Sequence, residues 1–258
     1  MTSAAMTAEF RAAGTDISER RRSGVSKGPL IDIAVVPELA AVEWAADATL
    51  RIGAAVTIAA VGANERIATS YPGIGAAALG LATPQVRHLA TLGGNLAQRS
   101  RCWYFRNPHI ACLKKGGSDC PSRGGNHLYG VAFDLGPCVA PHPSTMAAAL
   151  LAYDASVVTD QRTLTIVKLF GDGSNGAADH ALHPGEMIRS VALPAPLAGE
   201  RALYQRAISR THAEWPLAEI CARAADRSCR LARHDGHGLG GGRKLTHRRV
   251  HDDCRDRS

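Results

Sequence analysis

The chain is poor in aromatic residues and has no long apolar run. Phe, Trp and Tyr make up 5% of its 258 residues, too few for the stacking platform of a single-strand nucleic-acid binder. No stretch of about 18 consecutive apolar residues occurs, so a membrane-spanning helix is not expected. The start, MTSAAMTAEFRAAGTD, lacks a basic segment followed by an apolar one, and no secretory signal is legible. The cysteines lack the paired spacing of zinc fingers and of compact ferredoxin patterns. These absences predict no nucleic-acid or membrane partner. With no signal legible, synthesis in a reducing compartment is expected, and the location is cytoplasmic, or periplasmic if the protein is exported with a partner.

What is present is a globular composition: 45% hydrophobic residues, rich in Ala, with 26 glycines. This predicts a close-packed α+β or α/β protein. The net charge of +7 is unevenly placed. From Arg201 to Ser258 there are 13 Lys or Arg against 7 Asp or Glu, a net of +6, so residues 1–200 are close to neutral and offer nothing to a polyanion.

The most informative stretch runs from Thr83 to Ala147. It places Gly93 and Gly94, followed by Asn95, ahead of Cys102, Cys112, Cys120 and Cys138. Glycine pairs let a backbone approach a ligand, and clustered thiolates hold soft metals. Residues 102–138 form a long, irregular run rich in Gly, Pro, Arg and His. A metal centre would give such a loop the organisation that its composition does not. Zinc competes with iron and sulfur by ligand count, and four free thiols are the plain alternative. His109, His127 and His142 are read as loop residues, and Cys221, Cys229 and Cys254 as incidental.

Around this stretch, Ala12, Ala13, Gly14, Thr15 and Asp16 form a small-residue turn before a polar helical segment. Such a turn suits a phosphate, or merely joins strand to helix. Leu30–Leu39 reads as a strand, as does the start of Ala48–Gly62, with Leu50 and Ile52 on one face. A helix capped by Thr57 runs on toward Ile67, and an Ala-rich helix follows the turn at Tyr71–Gly73 and ends near Leu81. Thr83–Gln98 shows no regular period. A helix capped at Ser144 or Thr145 leads to a strand with Val157 and Val158, and TLTIVKLF continues as a strand. Met187–Leu193 is a further strand. The segment after the Tyr204 strand looks helical, and periodicity disappears after about Arg227.

At TPQVRHLATLGGNL followed by QRSRCWYFRNP the chain resembles the FAD-binding subunit of the molybdenum hydroxylase (xanthine dehydrogenase) family. It is most similar to the branch of bacterial aldehyde oxidoreductases whose subunit also carries a [4Fe–4S] cluster. The resemblance extends in order from about Glu9 to about Leu217, through AAGTDI, LRIGAAVTI, TLGGN, the cysteine loop, HPSTMAAALLAYDA, GEMIRSVALPAP and YQR…EWPLA. It implies a two-subdomain FAD-binding fold of the molybdopterin dehydrogenase type, α+β in class, with a cysteine-bearing loop insertion and a truncated C-terminal domain. The expected divisions are 1–69, 70–200 including the loop 102–138, 201–227 as the start of an incomplete domain, and 228–258 as a basic, disordered tail. A change of reading frame after Leu217 would account for that tail.

By the same resemblance, Ala12, Ala13, Gly14, Thr15, Asp16 and Ile17 form one flavin turn, and Thr91, Gly93, Gly94 and Asn95 the other. Thr145 stands where the family usually has an aspartate, Ile188 packs on the isoalloxazine, and Arg206 replaces a frequent lysine. Cys102, Cys112, Cys120 and Cys138 hold the cluster. If the second position of the first turn needs a positive φ, Ala13 is strained there. The implied role is an electron-transfer oxidoreductase subunit. It would work with a molybdenum-cofactor subunit and a [2Fe–2S] subunit in a heterotrimer and pass electrons to an acceptor, with no residue of its own acting as acid or base. The alternatives are a non-catalytic remnant or assembly component that keeps the fold but binds FAD poorly, and a zinc or nucleic-acid-binding module.

Overall fold

The computed structural model describes residues 7–208, 211, 213–225, 228–234 and 239–245. The chain opens with β1 (Glu9–Arg11), α1 (Ile17–Arg22) and β2 (Leu30–Asp32), a small parallel unit in which Glu9 faces Leu30 and Arg11 faces Asp32. The strand expected over Leu30–Leu39 stops at Asp32. The Asp32 carboxylate accepts the Ala34 N–H at 2.9 Å, and Pro37 then opens a 3-10 turn over Pro37–Ala40.

A five-stranded antiparallel sheet forms the centre. Its strands are β3 (Val42–Trp44), β4 (Leu50–Gly53), β5 (Ser156–Thr159), β6 (Thr163–Thr165) and β7 (Ile188–Leu193), in the order β3-β4-β7-β5-β6. Leu50 and Ile52 are buried on one face while Arg51 is exposed, as alternation predicts.

Between β4 and β5 lie α2 (Ile58–Ala63), α3 (Glu65–Ser70), α4 (Pro72–Gly80), α5 (Pro84–Leu89), α6 (Leu92–Leu96), α7 (Trp103–Arg106) and α8 (Thr145–Ala152). Side-chain caps set most of these starts. Thr57, Asn64, Thr83, Thr91 and Ser144 each accept the N–H three residues on. Asn64 divides the single helix expected from Thr57 into two. Every residue of α8 is buried, and it packs against α4 and α6. After β6, Thr165 accepts the Lys168 N–H at 3.2 Å and starts α9 (Ile166–Phe170), so TLTIVKLF is half strand and half helix.

β8 (Arg201–Ala207), β9 (Ala218–Ala225), β10 (Ser228–His234) and β11 (Leu239–Leu245) form a second antiparallel sheet in sequence order. The helix expected after Tyr204 is replaced by β9. Its buried positions are Glu219, Cys221, Arg223 and Ala225, so the strand alternation is carried by two charged residues and hidden from a hydrophobicity pattern. β10 and β11 likewise occupy stretches for which disorder is expected, Cys229 facing Leu245 and Ala224 in backbone register. Cys254 and the rest of 246–258 lie outside the described residues.

Candidate functional site

The first expected turn joins β1 to α1. Gly14 sits at φ 81°, and its carbonyl accepts the Ser18 N–H at 3.0 Å. Ala13 is not among the residues with positive φ, so the anticipated strain is absent: the left-handed residue is Gly14. The backbone N–H groups of Ala13, Gly14 and Thr15 have no acceptor among the described residues. Ala13 and Thr15 are exposed, so this turn offers donors to a ligand. Ile17 is buried and pins the start of α1.

Asp16 is engaged within the protein. Its carboxylate accepts from Arg106 Nη2 at 2.8 Å and from the Arg99 backbone N–H at 3.3 Å. It also pairs with Arg20 Nε at 2.9 Å and Arg101 Nη1 at 3.1 Å. Glu19, one turn along α1, pairs with the same Arg101 and Arg106. These arginines flank Cys102, so the first turn is tied by charge to the entrance of the cysteine loop. Burial pulls the Arg101 pKa down, and Asp16 holds it up. Its guanidinium also lies 5.0 Å from the Trp215 ring centroid.

The second expected turn is a one-turn helix, α6. Gly93 N–H donates to Ala54 O at 2.8 Å, Gly94 N–H to Thr91 Oγ1 at 3.2 Å, and Asn95 N–H to Thr91 O at 2.8 Å. Its donors are therefore engaged within the protein, and neither glycine has a positive φ. Gly93 is required by contact instead: a Cβ there would lie 2.7 Å from Ala54 Cβ and 3.1 Å from Ala54 O. Gly94 alone among these residues is exposed, presenting bare backbone. Asn95 faces inward and accepts from Ser144 Oγ at 2.8 Å and Met146 N–H at 3.3 Å, which fixes α6 against the start of α8.

The remaining expected flavin residues lie around this frame. Thr145 is buried at the first position of α8, where its hydroxyl reaches Tyr204. Ile188 is buried at the start of β7, beside the Ala54 N–H to Arg189 O bond that joins β7 to the Gly93 contact. Arg206 is engaged with backbone carbonyls, Gly80 O and, at 2.8 Å, Glu214 O. The second turn, Thr145 and Ile188 thus meet around α6, and Arg206 connects through 214–215 to Arg101 and Asp16.

The four loop cysteines come together. Cys102, Cys112, Cys120 and Cys138 all line one small cavity of about 10 Å³, with Phe105 and Lys114 also on its wall. None of the four forms a disulfide. Burial raises the Cys102 thiol, the N–H groups of Phe105 and Tyr104 lower it, and the neighbouring Cys120 and Cys112 raise it again. Burial also raises Cys138, against the pull of Lys114 and the Ala140 N–H.

Among the described residues no group of three or more His, Cys, Asp or Glu side chains is gathered as one metal ion would require. A tetrahedral zinc site with bonds of about 2.3 Å needs its sulfurs within about 4 Å of one another. The four thiols line one cavity without being gathered into such a group. His127 instead hydrogen-bonds Gly125 O at 3.1 Å, and His142 packs on Phe170 with ring centroids 4.4 Å apart.

The charged residues Glu19, Arg99, Arg101, Arg106, Lys114 and Asp179 carry much of this arrangement, and sequence reading does not single them out. The arginines crowded around Cys102 in QRSRCWYFR were the available signal. Asp179 lies in a polar stretch that reads as a loop. Among the described residues no helix is long and apolar enough to cross a membrane.

Residues 2–196 match the family model described as the FAD binding domain in molybdopterin dehydrogenase. The chain is 35% identical over 181 residues to the FAD-binding subunit of an Escherichia coli aldehyde oxidoreductase, an alignment covering 67% of this chain and 57% of that subunit. Its backbone is similar to quinoline 2-oxidoreductase from Pseudomonas putida, with TM-score 0.64 and 17% identity over 90% of this chain and 68% of the other. It is similar also to carbon monoxide dehydrogenase from Hydrogenophaga pseudoflava, with TM-score 0.65 and 20% identity over 90% and 69% of the two chains. At these identities the two solved structures speak for the fold, and the curated relative and the family model speak for kinship. The chain belongs to the family of FAD-binding domains of molybdopterin dehydrogenases.

Proposed function

We propose that the chain is the FAD-binding electron-transfer subunit of a molybdenum-containing hydroxylase or aldehyde oxidoreductase complex. Its partners in this reading are a molybdenum-cofactor subunit and a [2Fe–2S] subunit, and its four loop cysteines hold a [4Fe–4S] cluster. The carrying observation is the Asp16 network, which ties a turn with free N–H donors to a loop whose four cysteines share one cavity.

FAD, when bound, supplies the exchange of one and two electrons, and the chain supplies place and field. Ala13, Gly14 and Thr15 would offer N–H groups to its pyrophosphate, while exposed Gly94 lets a ligand come close to α6. Ile188 and Thr145 would border the ring, held there by β7 and α8. Cys102, Cys112, Cys120 and Cys138 would supply the thiolates of the cluster, with Phe105 limiting water on the cavity wall.

The test is co-expression with the partner subunits, followed by anaerobic addition of an aldehyde or N-heterocycle. Bleaching of a stoichiometric flavin band supports the reading. A complex that forms without flavin, or whose flavin stays oxidised while the molybdenum centre turns over, contradicts it.

A further inference from the structure

Residues 172–180 form a cover over the cysteine loop. A Cβ on Gly176 would lie 2.8 Å from Pro137 Cγ and 3.3 Å from the Cys138 nitrogen, and one on Gly136 would collide with Gly173 O. This contact brings Asp179 under the loop, where its side chain is 2% exposed. Lys114 Nζ pairs with Asp179 Oδ1 at 2.9 Å and donates to Ala178 O at 2.7 Å, and Arg99 Nε pairs with Asp179 Oδ2. The Lys114 side chain is itself only 6% exposed, and Lys114 lines the cavity shared by the four cysteines.

A buried lysine–aspartate pair is a costly way to pack a loop, because both charges lose their hydration. Apolar residues would serve as well if packing were all that was needed. The pair sits close enough for its field to reach the sulfurs, since Lys114 lines the cavity that the four cysteines share and holds Asp179 at 2.9 Å. Burial would raise Asp179 itself, but Arg99 and Lys114 hold it well below the usual carboxylate range, so the carboxylate is ionised beside Lys114.

We propose that Lys114 and Asp179 set the reduction potential of the centre held by Cys102, Cys112, Cys120 and Cys138, Lys114 raising it and Asp179 lowering it. The proposal rests on the reading that these cysteines hold an iron–sulfur cluster. Reduction adds one electron and no proton to that centre, so its negative charge grows by one. An ammonium on the cavity wall favours the reduced form, and a carboxylate behind it opposes it. Both are positioning residues, since neither is a ligand.

The experiment is a dithionite titration of the full chain, purified with its partner subunits and followed by the electron-spin signal of the reduced cluster. Iron and labile sulfide are measured on the same samples. Lys114→Met is expected to lower the potential by about 60 mV, a tenfold change in a one-electron equilibrium. Asp179→Asn is expected to raise it, and Lys114→Arg to stay near wild type, all with unchanged iron. Wild-type potentials in both Lys114→Met and Asp179→Asn overturn the proposal, as does movement in the same direction, which would report a loosened loop. If Lys114→Met fails to keep iron, the upward shift in Asp179→Asn and the retained potential of Lys114→Arg decide it. Wild-type protein with no iron or labile sulfide beyond the [2Fe–2S] partner's share overturns the cluster reading itself, and the proposal with it.

Discussion

Gly93 shows how one residue can be conspicuous for a reason other than the one that draws attention to it. In sequence it suggests a turn that bares its backbone to a ligand, whereas in the fold it is the point where α6 touches Ala54 at the end of β4. Gly93→Ala should therefore destabilise the protein by about 1–3 kcal/mol through overpacking, visible as a lower urea midpoint. Ala13→Gly should give no stabilisation, because Ala13 does not occupy a left-handed conformation. A gain in stability would show that strain exists at Ala13.

Glu186 carries a pH signature. Its buried carboxylate accepts from Arg162, from Thr159 Oγ1 and from the His183 N–H, and so fixes the turn that precedes Ile188. The hydrogen bond from Arg162, aided by those from His183 and Thr159, lowers its pKa from 4.5 to about 2. Between those values the unfolded chain binds more protons, so the stabilisation is complete above about pH 4.5 and lost as pH falls through about 2. It amounts to at most about 3.5 kcal/mol, at about 1.4 kcal/mol per pKa unit. In Glu186→Gln the slope of unfolding free energy against pH in that window should flatten, and an unchanged slope would refute the assignment.

Among the elements, β9 most clearly reveals what sequence conceals. An amphipathic strand is recognised by alternating apolar residues, but β9 buries Glu219 and Arg223 beside Cys221 and Ala225. Those charges are tolerated because they find partners. Arg223 pairs with Glu200 at 2.8 Å and lies 4.8 Å from the Tyr153 ring centroid, and Tyr204 Oη donates to Glu219 at 2.7 Å. Arg223→Ala would leave Glu200 buried and uncompensated, at a cost of about 3–5 kcal/mol. Denaturation monitored by Trp fluorescence should show it, and a loss below about 1 kcal/mol would mean that the pair is solvated. By contrast, β4, α8 and β7 were legible from the sequence, since Leu50 and Ile52 alternate, Ser144 caps and Pro194 stops. α6 and α9 were not, because single threonine caps start helices too short to show a period.

At the scale of the molecule, the two regions expected to carry cofactors are one charged assembly. Their motifs were legible because small-residue turns and clustered cysteines are local features. The connection between them was not, because Asp16 meets Arg101 and Arg106 across more than 80 residues of chain, a contact only the fold creates. Asp16→Asn should accordingly lower flavin and iron content together. Loss of flavin alone would mean that the turn and the loop are independent.

Whether flavin and a cluster share this chain is decided by the composition of the anaerobically purified complex, with flavin, iron, labile sulfide and zinc measured on one sample. One flavin per chain is expected from this subunit and, after subtraction of the [2Fe–2S] partner, about four iron and four labile sulfide. One zinc per chain with no iron or sulfide beyond the partner's share would contradict this.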